Sequence, residues 1–167
     1  LARFDRFLFT AGDAEAMRSE FKSLLPEVTF TRNEALTRLL ETHRNVSGIY
    51  FWVLRDETKE YKLYIGQTNS LANRLLNYMS DFQAHSPNDY KLRIFAAFFA
   101  ELAPEAALDH YFAETDVERL MVAEKDTIRR YDPLLNKLPP PSTEAKKKLK
   151  TAFEFYYRSA FELRLDK

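Results

Sequence analysis

Two apolar segments separated by a run of charges constrain this chain more than any other feature. Ser47-Gly48-Ile49-Tyr50-Phe51-Trp52-Val53-Leu54 is aromatic and β-branched, the composition of a strand. Leu63-Tyr64-Ile65 reads as a second strand, and the charged stretch from Arg55 to Lys62 reads as the turn between them. The two strands form an antiparallel hairpin. Its loop is expected to exceed two residues, so turn chemistry does not set its register.

Around the hairpin the pattern is mostly helical. Residues 13–25 carry Met17, Phe21, Leu24 and Leu25 at helical spacing, with Pro26 beyond. A second helix is expected from Thr31 to about His43, opened by a capping box of Thr31 and Glu34. Thr68-Asn69-Ser70 offers caps for a helix over about 71–80, on which Leu71, Arg74, Leu75 and Tyr78 share one face. Residues 81–89 are polar and read as a loop. Residues 92–102 are strongly apolar and read as a third strand buried on both faces. Thr115 and Glu118 suggest another capping box. The helix behind it runs to about Tyr131 with the stripe Val117, Leu120, Met121, Glu124 and Ile128, and Asp132-Pro133 ends it. Pro139-Pro140-Pro141 makes a stiff spacer before a last helix over about 142–165.

Composition narrows the chemistry. The 167 residues are 46% hydrophobic, enough for a core. Cysteine is absent, which removes disulfides, thiolate metal sites and cysteine nucleophiles together. The three histidines, His43, His85 and His110, are not spaced as a zinc pair. No apolar run approaches the ~20 residues of a membrane span. The expectation is a soluble, cytoplasmic protein with no membrane partner. Acidic and basic residues balance over the whole chain but not locally. Residues 45–137 net −3 and residues 138–167 net +3, with Lys146, Lys147, Lys148 and Lys150 clustered. Attraction for a phosphate backbone would come from that cluster, whose other reading is a solvated helix face.

Two opposite charges sit on apolar helix faces, Arg74 and Glu124. One reading is a buried ion pair between helices. The other is a phosphodiesterase site, which needs a carboxylate for a divalent cation and a cation to meet charge on the phosphorane. It also needs a group that orients or deprotonates water, and backbone that approaches phosphate. Tyr50 and Tyr64 lie on adjacent strands and each has a glycine beside its motif, Gly48 and Gly66. One carboxylate with substrate oxygens suffices for Mg²⁺, which keeps most of its waters.

The ordered set Gly48-Ile49-Tyr50, Tyr64-Ile65-Gly66-Gln67-Thr68, Leu71-Ala72-Asn73-Arg74-Leu75, and Glu124 followed by Ile128, Pro133 and Asn136 resembles the GIY-YIG nuclease superfamily. The resemblance covers about residues 47–137. It implies an α+β fold: a small three-stranded antiparallel sheet flanked by helices. Here that sheet would form a core at 46–137, with an N-terminal helical extension at 1–45 and a C-terminal helical one at 138–167. It implies that Tyr50 orients or deprotonates water, and that Tyr64 hydrogen-bonds on the phosphate side. By the same resemblance Arg74 stabilises the transition state, Glu124 is the single metal ligand and Asn136 shapes the site from behind. Tyr78, one turn after Arg74, is a secondary candidate or a core aromatic. Gln67 touches substrate or simply starts the helix, and Gly66 lies at the substrate side.

The function so implied is a Mg²⁺- (or Mn²⁺-) dependent DNA endonuclease in restriction, defence or a mobile element. The alternatives are a catalytically silent nucleic-acid-binding module and a DNA-degrading toxin. DNA is the expected partner. Few residues flank the core, so sequence reading would come from small loops or from a second subunit of a homodimer. The charged stretch between the two tyrosine motifs is long for the family and is expected to shift one tyrosine against the other.

Overall fold

The computed structural model describes residues 2–28, 34–79, 92 and 105–137. A 3-10 turn at Ala2–Phe7 leads to α1 (Ala11–Glu20), β1 (Lys22–Leu25) and α2 (Glu34–Thr42). Next come β2 (Gly48–Asp56), β3 (Lys59–Thr68), α3 (Leu71–Met79) and β4 (Ala107–Glu114). A 3-10 turn at Val117–Arg119, α4 (Leu120–Tyr131) and a 3-10 turn at Leu135–Lys137 complete the described elements. The sheet is mixed with helices in an α+β arrangement and, among the described residues, has four strands in the order β1-β4-β2-β3, where three were expected. Every described pairing is antiparallel.

The sheet is covered on both faces, which explains why residues 49–54 are apolar without alternation. Tyr50, Trp52 and Leu54 pack with Leu36 and Leu39 of α2, Leu71 and Leu75 of α3, and Phe112 of β4. Ile49, Phe51 and Val53 point the other way, against Met17 and Phe21 at α1 and Leu120 and Tyr131 of α4. Phe51 meets Phe21 edge-on at 5.8 Å and Tyr131 at 5.3 Å between ring centres. Such contacts add to the area each aromatic buries.

Several expectations are corrected. The hairpin loop has two residues, Glu57 and Thr58, because charged residues continue both strands: Arg55 pairs with Glu60 and Asp56 with Lys59. Glu57 takes the left-handed conformation the tight turn requires, with φ 53°. A bulge at Leu63, between the Trp52–Tyr64 and Val53–Lys62 pairs, absorbs the extra length.

The described strand that follows the hairpin is Ala107–Glu114, a segment sequence pattern does not mark as one. Leu92 is helical and fully buried, and 93–102 lie outside the described residues. The run Leu108-Asp109-His110-Tyr111-Phe112 hides its strand character behind two polar residues. Asp109 is buried because Arg55 Nε donates to its Oδ2 at 2.9 Å and the Glu27 backbone N–H donates to its Oδ1 at 2.9 Å.

The first helix stops at Glu20. Thr10 caps it by accepting from the Asp13 N–H at 3.1 Å. Lys22–Leu25 then pairs with the free edge of β4, so Leu24 and Leu25 belong to a strand. The capping box at Thr115 and Glu118 does not form. Thr115 Oγ1 donates back to the Ala113 carbonyl, and the chain enters α4 through a 3-10 turn. Val117 and Met121 of the expected stripe are 59% and 62% exposed. The buried face of α4 runs through Leu120 and Tyr131 instead. The Thr31 cap, the 81–89 loop, the proline spacer and the last helix with its lysines lie outside the described residues. Among the described residues no helix is long and apolar enough to cross a membrane.

His110 is 1% exposed, between Tyr50 and Trp52, and burial pushes its pKa from about 6.5 down to about 3. Above pH 6.5 the ring is neutral in both states and contributes no pH dependence. Below that the unfolded chain takes a proton that the folded chain refuses until about pH 3. Stability is therefore lost as pH falls through this window, and by pH 4.5 His110 alone costs about 2–3 kcal/mol. Urea unfolding of wild type and His110→Phe at pH 7 and 4.5 measures it, since the carboxylates cancel in the difference. The variant should lose that much less stability on acidification, and parallel losses would refute the assignment.

Candidate active site

The site grows from the register of the central strands. Tyr50 lies opposite Gly66 on β3 and Phe112 on β4, while Trp52 lies opposite Tyr64 and His110. Tyr64 and His110 are thus the diagonal neighbours of Tyr50 on the same face, one on each side. The Tyr50 and Tyr64 ring centres are 6.1 Å apart, so the bulge keeps the two tyrosines together despite the long charged hairpin.

Gly66 is what lets Tyr50 lean over β3. A Cβ at residue 66 would stand 2.3 Å from Tyr50 Oη and 2.4 Å from its Cζ. Gly48 accommodates a ring in the same way, since a Cβ there would meet Phe112 Cζ at 2.5 Å and the Ala113 carbonyl oxygen at 2.2 Å. Both glycines have a packing reason. The space beside Gly66, expected to lie toward substrate, is filled by Tyr50.

Arg74 reaches Tyr50 from the second turn of α3. Its Nε donates to Tyr50 Oη at 3.0 Å, and its guanidinium carbon lies 5.8 Å from the centre of the Tyr50 ring. Leu71 and Leu75, fully buried on the same helix, anchor that reach. The Tyr64 hydroxyl is held well above its ordinary pKa, first by burial and then by Tyr50 and the Glu124 carboxylate, with Arg74 pulling the other way. Tyr64 therefore stays protonated at neutral pH, a hydrogen-bond donor and not a base.

Glu124 sits half-buried on α4. Burial raises its pKa, while the Gln67 backbone N–H donating to the carboxylate, and Lys125, lower it. An interhelical Arg74–Glu124 ion pair is not seen among the described residues. Gln67 contributes to the site through its backbone.

Asn136, in the 3-10 turn after α4, binds the outer edge of β3 as a strand would. Its Oδ1 accepts from the Ile65 N–H at 2.9 Å and its Nδ2 donates to the Ile65 carbonyl at 2.8 Å. The Leu134 N–H adds a third bond to β3, at the Lys62 carbonyl, 3.0 Å away. Asp132 makes this return by taking the left-handed conformation, φ 52°, at the end of α4. Asn136 thus ties the strand carrying Tyr64 and Gly66 to the helix carrying Glu124.

Tyr50, Tyr64, Arg74, Glu124 and Asn136 therefore come from five elements to one end of the sheet. Tyr78 lies on α3, with its side chain outside the described residues, as are Lys146, Lys147, Lys148 and Lys150. The contact that sequence reading missed is His110, stacked on Tyr50 with ring planes 17° apart and centres 5.9 Å apart. Its signal was the period-2 row Leu108, His110, Phe112, which places it on the Tyr50 face.

No protein-family model matches the chain, and no curated protein matches it. Among solved structures the chain is similar to the GIY-YIG N-terminal endonuclease domain of UvrC from Thermotoga maritima, bound to its catalytic divalent cation, magnesium. The TM-score is 0.36 at 18% identity, over 61% of this chain and 96% of that one. A tyrosine-to-phenylalanine point mutant of the same domain, also with its divalent cation, aligns with TM-score 0.36 at 17% identity, over 61% and 94%. Superposition at that level is too loose to assign roles, so the site is read from its own geometry.

Gly66→Ala should push the Tyr50 ring off β3, because the three atoms nearest the new methyl all belong to that side chain. The Arg74–Tyr50 hydrogen bond breaks with it. Near-UV circular dichroism should lose tyrosine intensity, and thermal unfolding should show a loss on the order of 1–3 kcal/mol. An unchanged spectrum and melting point would show that Tyr50 does not occupy that space.

Proposed function

We propose that the chain is a phosphodiesterase of GIY-YIG type, a Mg²⁺-dependent endonuclease (Mn²⁺ serving in its place) that hydrolyses DNA. The observation that carries this reading is the 3.0 Å hydrogen bond from Arg74 Nε to Tyr50 Oη, made beside Tyr64 and a desolvated carboxylate. Hydrolysis of a phosphodiester needs those parts together.

The metal fits the donor set. Among the described residues no group of three or more His, Asp or Glu side chains is placed to hold a metal, and this reading gives the role of single protein ligand to Glu124. Its raised pKa marks a carboxylate short of compensating charge. Mg²⁺ accepts one carboxylate with water and phosphate oxygens. Once bound, it supplies positive charge to phosphate oxygens and polarises water.

The chain's own residues do the rest. Arg74 carries a permanent cation to the place where charge grows on phosphorus. The Tyr50 oxygen accepts from Arg74 Nε, which fixes where the hydroxyl stands beside Tyr64. Held by that guanidinium, Tyr50 is the residue placed to orient or deprotonate the attacking water. Tyr64, protonated, donates on the phosphate side. Asn136 and Gln67 hold Tyr64 and Glu124 in register.

Nicking of supercoiled plasmid by purified protein, with Mg²⁺ and with chelator, tests this reading. Wild type should nick only with the metal. Glu124→Gln should abolish nicking with the melting point retained. Tyr50→Phe should lower the rate at least about a hundredfold with DNA affinity unchanged. Wild-type protein that binds DNA but cuts with neither Mg²⁺ nor Mn²⁺ would make the chain a silent binding module. A Tyr50→Phe variant that lost affinity but kept its turnover would make Tyr50 a binding residue.

DNA affinity is assigned to the lysine cluster, since residues 45–137 net −3. Changing Lys146, Lys147, Lys148 and Lys150 to Ala should weaken binding at moderate salt. The slope of log affinity against log salt should fall by about two to three units, at roughly 0.9 per phosphate contact. Chemistry at saturating DNA should be unchanged. An unaltered slope would leave the cluster a solvated face.

A further inference from the structure

Tyr50 has to hold its ring plane as well as its place, because the direction of its hydroxyl follows the plane. Arg74 fixes the hydroxyl end and the bare backbone of Gly66 lies beneath it. The flat side of the ring is covered by His110, which stands on β4 diagonally opposite Tyr50. The two rings are nearly parallel at 17°, with centres 5.9 Å apart. Trp52, directly opposite His110, meets the imidazole edge-on at 4.7 Å. His110 is thus clamped between two aromatic side chains.

One of its ring nitrogens finds no use in the described fold. Nδ1 is fully buried without a hydrogen-bond partner among the described residues, and the ring remains neutral at any pH where the protein would act. A buried polar atom left unpaired is unfavourable. What remains useful in the residue is a small, flat, uncharged ring. An aliphatic side chain of similar volume would fill the space but would let the phenol rock.

We propose that His110 is a positioning residue for Tyr50: its imidazole is the planar wall that holds the Tyr50 ring in the orientation from which Oη meets Arg74 Nε. It touches neither the carboxylate nor the reacting phosphate, and acts only through Tyr50. The inference rests on the reading of Tyr50 as the residue that handles the attacking water. It extends the site to β4, which carries none of the other site residues.

His110→Phe keeps a flat ring, and His110→Leu keeps volume without one. Two readouts separate positioning from packing. In the folded protein, the Arg74 Nε–H nuclear magnetic resonance signal reports the hydrogen bond to Tyr50 directly and needs no cleavage. Its exchange with solvent should be slow in wild type and His110→Phe, and at least about tenfold faster in His110→Leu. In plasmid nicking with Mg²⁺, His110→Leu should lose about ten- to a hundredfold in kcat with KM within about threefold, the scale of a misplaced catalytic group. His110→Phe should restore kcat to within about threefold of wild type. If His110→Leu does not fold, His110→Met, flexible and of similar volume, takes its place.

Slow Arg74 exchange and full kcat in the ringless variant would overturn the proposal. So would a His110→Phe variant as impaired as His110→Leu, because the requirement would then be for the imidazole nitrogens. If wild type does not cut DNA at all, the nuclease reading fails, and the Arg74 signal alone still decides whether His110 positions Tyr50.

Discussion

The Tyr50 ring occupies the volume that a side chain at residue 66 would fill, and the candidate site depends on that substitution of ring for side chain. A Cβ at 2.3 Å from Tyr50 Oη cannot coexist with the ring. With glycine there, the ring crosses from β2 over β3 and its oxygen comes within reach of Arg74 on α3. Three elements are thereby joined through one phenol. The pairing of Gly48 with Phe112 repeats the device at the start of β2. In a chain with only three glycines, two are spent where an aromatic ring lies flat across a neighbouring strand.

Coverage of the sheet on both faces gives the site its electrostatics. Tyr64 and Glu124 are both shifted by burial first and by their neighbours second. Desolvation penalises every charged form, so whatever charge remains has to be matched locally. Arg74 offsets part of the penalty at Tyr64, and the Gln67 N–H part of that at Glu124. The Glu124 carboxylate still lies above its ordinary range, which leaves room for a cation there.

The hairpin, and the residues gathered around Tyr50, are legible in the sequence because their signals are local. Strand composition marks residues 49–54, and the spacing of glycine, tyrosine, arginine and glutamate survives without any knowledge of contacts. The third strand was not legible, because its polar residues are reconciled with burial only by distant partners. Asp109 is buried against Arg55, 54 positions away, and Glu27, 82 positions away. The strand Lys22–Leu25 was hidden for a similar reason. Its residues suit the end of a helix, and only the open edge of β4 makes them a strand. On the hairpin, charges whose local preference is for loop extend both arms as cross-strand pairs, Arg55 with Glu60 and Asp56 with Lys59. Tertiary pairing overrides local propensity in all three cases.

The two tyrosines, alike in sequence, differ in what surrounds them. Both lie on one face of the sheet, diagonal to each other. Tyr64 is crowded by burial, by the Tyr50 hydroxyl and by the Glu124 charge, all of which oppose its ionisation. Tyr50 meets the guanidinium of Arg74 at hydrogen-bond distance on one side and an uncharged imidazole on the other. A protonated His110 would place a second cation against the same ring, but burial keeps it neutral. Two side chains of identical ordinary pKa thus meet different surroundings, because the sheet register sets one near a carboxylate and the other beside an arginine.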